Sequence, residues 1–271
     1  MHPDLVDIGL NLGNPRFDAD RAALIERARQ AGVTRMILTG THVEESTKVK
    51  AMAEELPGVL FSTAGVHPHD ASTCDASTID ALRALAQSPS VVAIGECGLD
   101  FNRDFSPRPT QEHWFEQQIA LALEQGMPLF LHERDASERF LAILDASSDV
   151  PPRGVVHCFT GGRAAMEAYL ERGLYIGITG WICDERRGTE LQTLVQHIPL
   201  SRILVETDAP YLVPRDMRPR PKRNEPSFLP HIVGVIAHHM GCEPRVLAQA
   251  SSANAAELFG LSPRTAESQG A

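Results

Sequence analysis

The alternation of strand-like and helix-like segments restricts this chain more than any other feature. Short apolar, partly β-branched runs recur at residues 5–10, 33–39, 59–66, 91–95, 128–131, 154–156, 174–178 and 202–205. Helical apolar spacing follows them near 18–32, 43–56, 79–86, 110–125, 136–146, 163–172 and 189–197, with two last helices from about Leu229 and Arg245. Pro109 precedes the helix at 110–125 and Gly126 follows it, the asymmetry expected of helix termini. Continuous apolar runs mark strands buried on both faces, as in parallel sheets. Helical crossovers between them require those strands to be parallel. Eight such units without a composition break predict an α/β fold of the (β/α)8 TIM-barrel type. It would span residues 1–261 as one domain, with a polar tail at 262–271. A doubly wound open sheet is the main alternative, and no glycine-rich dinucleotide fingerprint follows the first strand to favour it.

The 271 residues are 43% hydrophobic, enough to bury a large core. A net charge of −10 argues against a generally basic nucleic-acid-binding coat, so any basic groove must be local. The five cysteines, Cys74, Cys97, Cys158, Cys183 and Cys242, are odd in number and contain no Cys-x-x-Cys pair. That usage suits a reducing compartment better than a disulfide framework. The opening MHPDLVDIGLNL has no basic stretch followed by an apolar core, and no long apolar span occurs. The expectation is a cytoplasmic protein with no membrane contact, a monomer by default.

TIM barrels carry their active sites at the C-terminal ends of the strands. Four polar residues stand just there: Glu96, His132, His157 and Asp208, after the fourth, fifth, sixth and eighth apolar runs. A carboxylate aimed out of a dry strand is costly unless a metal or a partner compensates it. Taken singly, each has an ordinary reading, a hydrogen-bonded wall histidine or, for Asp208, a helix N-cap. Four at the equivalent place in four repeats point to one or two divalent cations, Mg²⁺, Mn²⁺ or Zn²⁺. Two ions bridged by Glu96 would stabilise the attacking and leaving oxygens of a displacement.

The motifs around these residues resemble the TatD family of metal-dependent deoxyribonucleases. They are GVHPH at 65–69, GECGLD at 95–100, LHERDA at 131–136, HCFTGG at 157–162, GITGWICDERRG at 177–188, ETDAPYLVPRD at 206–216 and RNEPSFLPHI at 223–232. The resemblance covers almost the whole chain. It implies a barrel of the amidohydrolase superfamily that cuts DNA or RNA with a divalent metal, usually Mg²⁺, mostly as a 3′–5′ exonuclease on single strands. It assigns the metal-ligand roles to Glu96, His132, His157 and Asp208. Many relatives begin with a His-x-His pair after the first strand, where this chain has Gly9 and Asn11. The loss, shared by the family's bacterial exonucleases, leaves harder oxygen ligands and favours Mg²⁺ or Mn²⁺ over Zn²⁺. On this reading Glu96 and Asp208 are catalytic, Asp208 accepting the proton of the attacking water. His67 would face the same mouth, either to hold the scissile phosphate or to hydrogen-bond a neighbour.

Positive charge gathers after the eighth strand in Arg215, Arg218, Arg220, Lys222 and Arg223, held extended by prolines 214, 219 and 221. Beside an anionic site, these charges would concentrate phosphate; the plain alternative is a solvated loop. Arg103, Arg134 and the pair Arg186-Arg187 also leave strand ends, Arg134 being best placed for a phosphate. Trp181 and Phe101 could stack a terminal base or simply pack. Nothing in the sequence reads base edges, so little sequence preference is expected. Two other functions compete. One is a metal-dependent hydrolase of a small C–N or ester substrate on the same barrel, which would need a closed apolar pocket. The other is a non-catalytic nucleic-acid-binding or scaffold protein, against which the full ligand set argues.

Overall fold

The apolar runs become strands and their polar ends become the mouth of a barrel. The computed structural model describes residues 4–261, and the expected tail at 262–271 lies outside the described residues. The strands are β1 (Leu5–Leu10), β2 (Val33–Leu38), β3 (Leu60–Ala64), β4 (Val91–Asp100), β5 (Leu129–Arg134), β6 (Gly154–Val156), β7 (Tyr175–Ile178) and β8 (Ile203–Val205). They pair in sequence order, each neighbour parallel. No regular ladder joins β8 to β1. Instead the Asp208 N–H donates to the Gly9 carbonyl at 2.8 Å and the Asn11 N–H to the Ala209 carbonyl at 2.9 Å. These bonds close the (β/α)8 TIM barrel.

Around it run α1 (Arg21–Gln30), α2 (Val43–Glu55), α3 (Thr78–Leu85), α4 (Arg108–Gln125), α5 (Ser137–Ser147), α6 (Arg163–Glu171), α7 (Thr189–Leu194) and α8 (Leu229–Met240). A ninth helix, α9 (Pro244–Phe259), lies against β1 and β8. Its Ser251 hydroxyl accepts the Val205 N–H at 3.0 Å, and Asn254 donates to the carbonyls of Leu200 and Ile203 at 2.9 Å each. Among the described residues, no helix is long and apolar enough to cross a membrane.

Two cores follow from strands buried on both faces. One lies between strands and helices, with Leu38, Ile94, Phe115, Leu131, Phe140, Tyr169 and Val205. The other holds Val6, Ile8, Ile37, Phe130, Val155 and Leu204 together with Leu258 and Phe259 of α9. Phe130 is fully buried, worth roughly 1.5–3 kcal/mol relative to an exposed ring. Its ring stacks on His157, with centroids 4.5 Å apart, and so forms the floor of the mouth.

The strand bounds depart from expectation in one informative way. Glu96 and His132 lie inside β4 and β5, not beyond their ends, because both strands continue to Asp100 and Arg134. The ladder passes from Gly95–Phe130 to Cys97–Leu131, a bulge that skips Glu96. Bulges re-aim a side chain without ending the pairing. The Glu96 N–H donates to the Gly40 carbonyl at 2.8 Å instead. Smaller departures are that Pro109 sits within the first turn of α4, and that residues 195–197 form a 3₁₀ turn after α7. Gly126 ends α4 as expected, in the left-handed region with φ of 63°.

Candidate functional site

One carboxylate oxygen organises the mouth. Glu96 Oε1 lies 2.7 Å from His157 Nε2, 2.9 Å from His132 Nδ1 and 3.2 Å from His67 Nε2. One ligand atom each from His67, Glu96 and His132 lies within 4.8 Å of the others, a group able to hold a metal ion. Three imidazole nitrogens can satisfy one oxygen only by carrying three protons toward it. A divalent cation suits the same convergence with the His132 and His157 lone pairs turned inward, while His67, whose Nδ1 accepts the His69 N–H, presents a proton on Nε2. His132 Nε2 is buried without a hydrogen bond, although Asp100 Oδ2 stands 3.4 Å away. The donor set therefore fits a divalent ion.

Electrostatics lead to the same conclusion. Burial alone would raise the Glu96 pKa, but charge on His157 and His67 and hydrogen bonds from His132 and His157 hold it well below the usual carboxylate range. Burial opposes protonation of His157, yet Glu96 and Glu206 outweigh it and raise that imidazole well above its ordinary value. In His132, burial is likewise outweighed by the neighbouring carboxylates of Asp100 and Glu96, and its pKa rises. His67 goes the other way, lowered chiefly by burial. A proton on His157 thus stands where a cation would neutralise Glu96.

Asp208 lies near enough to feel the charges of His157, Glu206 and Glu96, but it is outside the group that converges within 4.8 Å. Its Oδ1 accepts the Asn11 side-chain N–H at 2.9 Å. The residue keeps some exposure through the mouth, but protein surrounds its other sides. That enclosure pushes its carboxyl up to about 7, against the pull of His157 and with the repulsion of Glu206 and Glu96. A carboxyl balanced near neutrality can accept or release a proton at little cost.

Glu206 was not anticipated from the sequence. It is fully buried, its Oε1 accepts the Cys158 N–H at 2.5 Å, and its Oε2 lies 3.4 Å from His157 Nδ1. A carboxylate on Nδ1 fixes the ring so that Nε2 faces Glu96. The space it fills exists because Gly9 and Gly177 carry no side chain, since a Cβ at either would meet the carboxylate. Gly9 is thus the seat of Glu206. The sequence does hold a signal: Glu206 is the first polar residue after β8, as His157 is after β6.

Asp100 and His69 were missed as well. His69 Nε2 lies 2.6 Å from Asp100 Oδ2, the carboxylate that also faces His132. Two buried glutamines of α4 hold these segments in place. Gln118 accepts the Val66 N–H at 2.7 Å and donates to the Val66 carbonyl at 3.1 Å. Gln111 does the same for Asp100, at 2.9 and 3.2 Å.

The arginines divide into bound and unbound. Arg134 donates to Thr160 Oγ1 at 2.6 Å and sits 5.7 Å from the Trp181 ring centroid. Arg187 covers the same ring at 4.4 Å, and the indole N–H donates to the Arg187 carbonyl at 3.2 Å. Arg103 is exposed, with no ion pair among the described residues. The expectation of five phosphate-seeking charges after β8 needs correction. Arg223 pairs with Asp20 at 2.5 Å, Arg215 lies 3.6 Å from Asp184, and Arg218 donates to the carbonyls of Arg215 and Met217. Phe101 is covered by Arg108 at 4.4 Å.

Beside the mouth, Arg16, Trp181, Arg187, Tyr211, Arg215 and Arg220 line a cavity of about 260 Å³. A cavity of about 750 Å³, lined by Leu60, Phe61, Val92, Met127 and Phe259, contains none of the candidate ligands.

Comparison with known proteins identifies the family. The sequence profile of the family described as TatD related DNase matches residues 6–260. A Citrobacter rodentium protein named 3′-5′ ssDNA/RNA exonuclease TatD is 53% identical over 264 residues, covering 97% of this chain and 100% of its own. A protein of the same name from Cronobacter sakazakii is 55% identical over 257 residues, covering 94% and 97%. Among solved structures, YjjV, a TatD homolog from Escherichia coli K12, superposes with a TM-score of 0.88 at 28% identity, covering 97% and 100%. With its barrel matched by a solved relative and its sequence matched along nearly its whole length, the chain belongs to the TatD related DNase family.

Proposed function

We propose that the protein is a divalent-metal-dependent nuclease that removes nucleotides from the 3′ end of single-stranded DNA, and of RNA, in repair or degradation of nucleic acid. The observation that carries this reading is the convergence of three imidazole nitrogens on Glu96 Oε1 within 3.2 Å. The names of full-length relatives more than 50% identical support the substrate. Glu96, His132, His157 and Asp208 would hold one or two ions, Mg²⁺ or Mn²⁺. A divalent cation there would polarise the phosphodiester and acidify a nearby water.

The side chains do the rest. Asp208, with its carboxyl near neutrality, takes the proton of the attacking water. Glu206 fixes the His157 ring through Nδ1. His67 Nδ1 accepts the His69 N–H at 3.0 Å, so a neutral His67 carries its proton on Nε2 and offers a donor to the scissile phosphate. Arg134 and Arg103 draw in the phosphate backbone, and Trp181 stacks a base, a contact tolerant of sequence. The protein works as a monomer in the cytoplasm.

The test is a 5′-labelled single strand incubated with Mg²⁺, Mn²⁺ or Zn²⁺. A ladder shortening from the 3′ end supports the assignment, while one internal product or no cleavage with any ion refutes it.

A further inference from the structure

We propose that Cys183, Asp216 and His231 form a second cation site, outside the mouth, for Zn²⁺ or another thiophilic divalent ion. Cys183 closes the 3₁₀ turn Gly180–Cys183 after β7, Asp216 lies in the segment after β8, and His231 is in the first turn of α8. Three segments distant in sequence bring together a thiol, a carboxylate and an imidazole. One ligand atom from each lies within 4.8 Å of the other two. His231 Nε2 is already 2.9 Å from Asp216 Oδ1. Cys183 is buried, whereas the Asp216 and His231 side chains are 39% and 35% exposed. An ion can therefore enter from their side and keep a position open for water.

The donor types decide which ion. A sulfur, a nitrogen and a carboxylate oxygen suit tetrahedral Zn²⁺, whereas Mg²⁺ takes oxygen ligands. Ligation turns the thiol into a thiolate, its proton passing to solvent. Asp216 directly follows Arg215 and precedes Arg218 and Arg220 in the same segment. An ion held by Asp216 would tie that arginine segment to the turn bearing Trp181 and to α8. The competing arrangement is a hydrogen-bonded chain of thiol, carboxylate and imidazole that takes up no ion.

Cobalt titration of the chelator-stripped full chain separates the two. The proposal predicts a near-ultraviolet sulfur-to-cobalt charge-transfer band that saturates, is bleached by Zn²⁺ and survives excess Mg²⁺. Cys183→Ser should abolish the band, and Asp216→Asn and His231→Gln should each weaken cobalt affinity roughly tenfold or more. Cys158→Ser, which alters the thiol beside Glu206 in the mouth, should leave the band intact. Absence of the band, its survival in Cys183→Ser or its loss in Cys158→Ser would overturn the proposal. Should Cys183→Ser fail to fold, the Asp216→Asn and His231→Gln affinities decide: unchanged values reject the site.

Discussion

Replacing Gly177 by alanine tests how the barrel makes room for its buried carboxylate. A methyl group at Gly177 would lie 2.7 Å from Glu206 Oε1 and 3.0 Å from His157 Cα, where about 3.5 Å is the comfortable separation. The glutamate end is not free to swing away, because it is fully buried and accepts the Cys158 N–H. Breaking that charge-assisted bond costs roughly 1.5–3 kcal/mol. Crowding the wall adds roughly 1–3 kcal/mol, and the stiffer unfolded chain offsets about 0.4–1 kcal/mol. The net expectation is a loss of roughly 2–5 kcal/mol, read as a melting shift of about 2–4 °C per kcal/mol. In a Glu206→Ala background only the His157 contact remains, so the same substitution should cost roughly 1 kcal/mol. A double-mutant cycle by thermal or urea denaturation measures the difference. Equal costs with and without Glu206, or a stabilising Gly177→Ala, would refute the seat argument.

Other consequences follow from the same groups. Glu96→Ala should abolish metal-dependent cleavage while leaving the circular dichroism spectrum unchanged; near-normal activity would remove Glu96 from the centre. Because His157 is held protonated well above its ordinary pKa, an incoming ion must displace that proton. Mn²⁺ affinity followed by electron paramagnetic resonance should then rise about tenfold per pH unit while His157 remains charged, and a flat profile contradicts this. Asp7, buried against Thr207, has its pKa raised by burial to about 7, so the folded state keeps a proton that the unfolded chain loses near pH 4. Stability should therefore fall as pH rises from about 4 to 7, by up to ~4 kcal/mol for this group. Asp7→Asn, whose amide oxygen can still accept the Thr207 N–H, should flatten that slope in urea melts; an unchanged slope would show that another group is responsible. Arg134→Ala should raise KM for a single strand and leave turnover of a small phosphodiester near normal, whereas equal losses on both would place it at the reacting phosphate.

The eightfold rhythm was legible because a strand buried on both faces must be continuously apolar, and a helical crossover must carry its own spacing. Glu96, His132, His157 and Asp208 stand out in the sequence for a related reason, as polar residues following dry apolar runs, and the structure brings Glu96, His132 and His157 together. What escaped was tertiary. Nothing local in GECGLD reveals that a bulge keeps Glu96 inside β4, because the partner strand supplies the pairing. Glu206 can be placed only once Gly9 and Gly177 are seen to face it from neighbouring strands. The arginines after β8 read as a uniform basic loop, yet Asp20 and Asp184, remote in sequence, take up Arg223 and Arg215.

The most direct measurement is anomalous diffraction from a crystal soaked in Mn²⁺. The account predicts a peak bounded by Glu96, His132, His157 and Asp208 at the barrel mouth. No peak there, or manganese bound only away from Glu96, would contradict it.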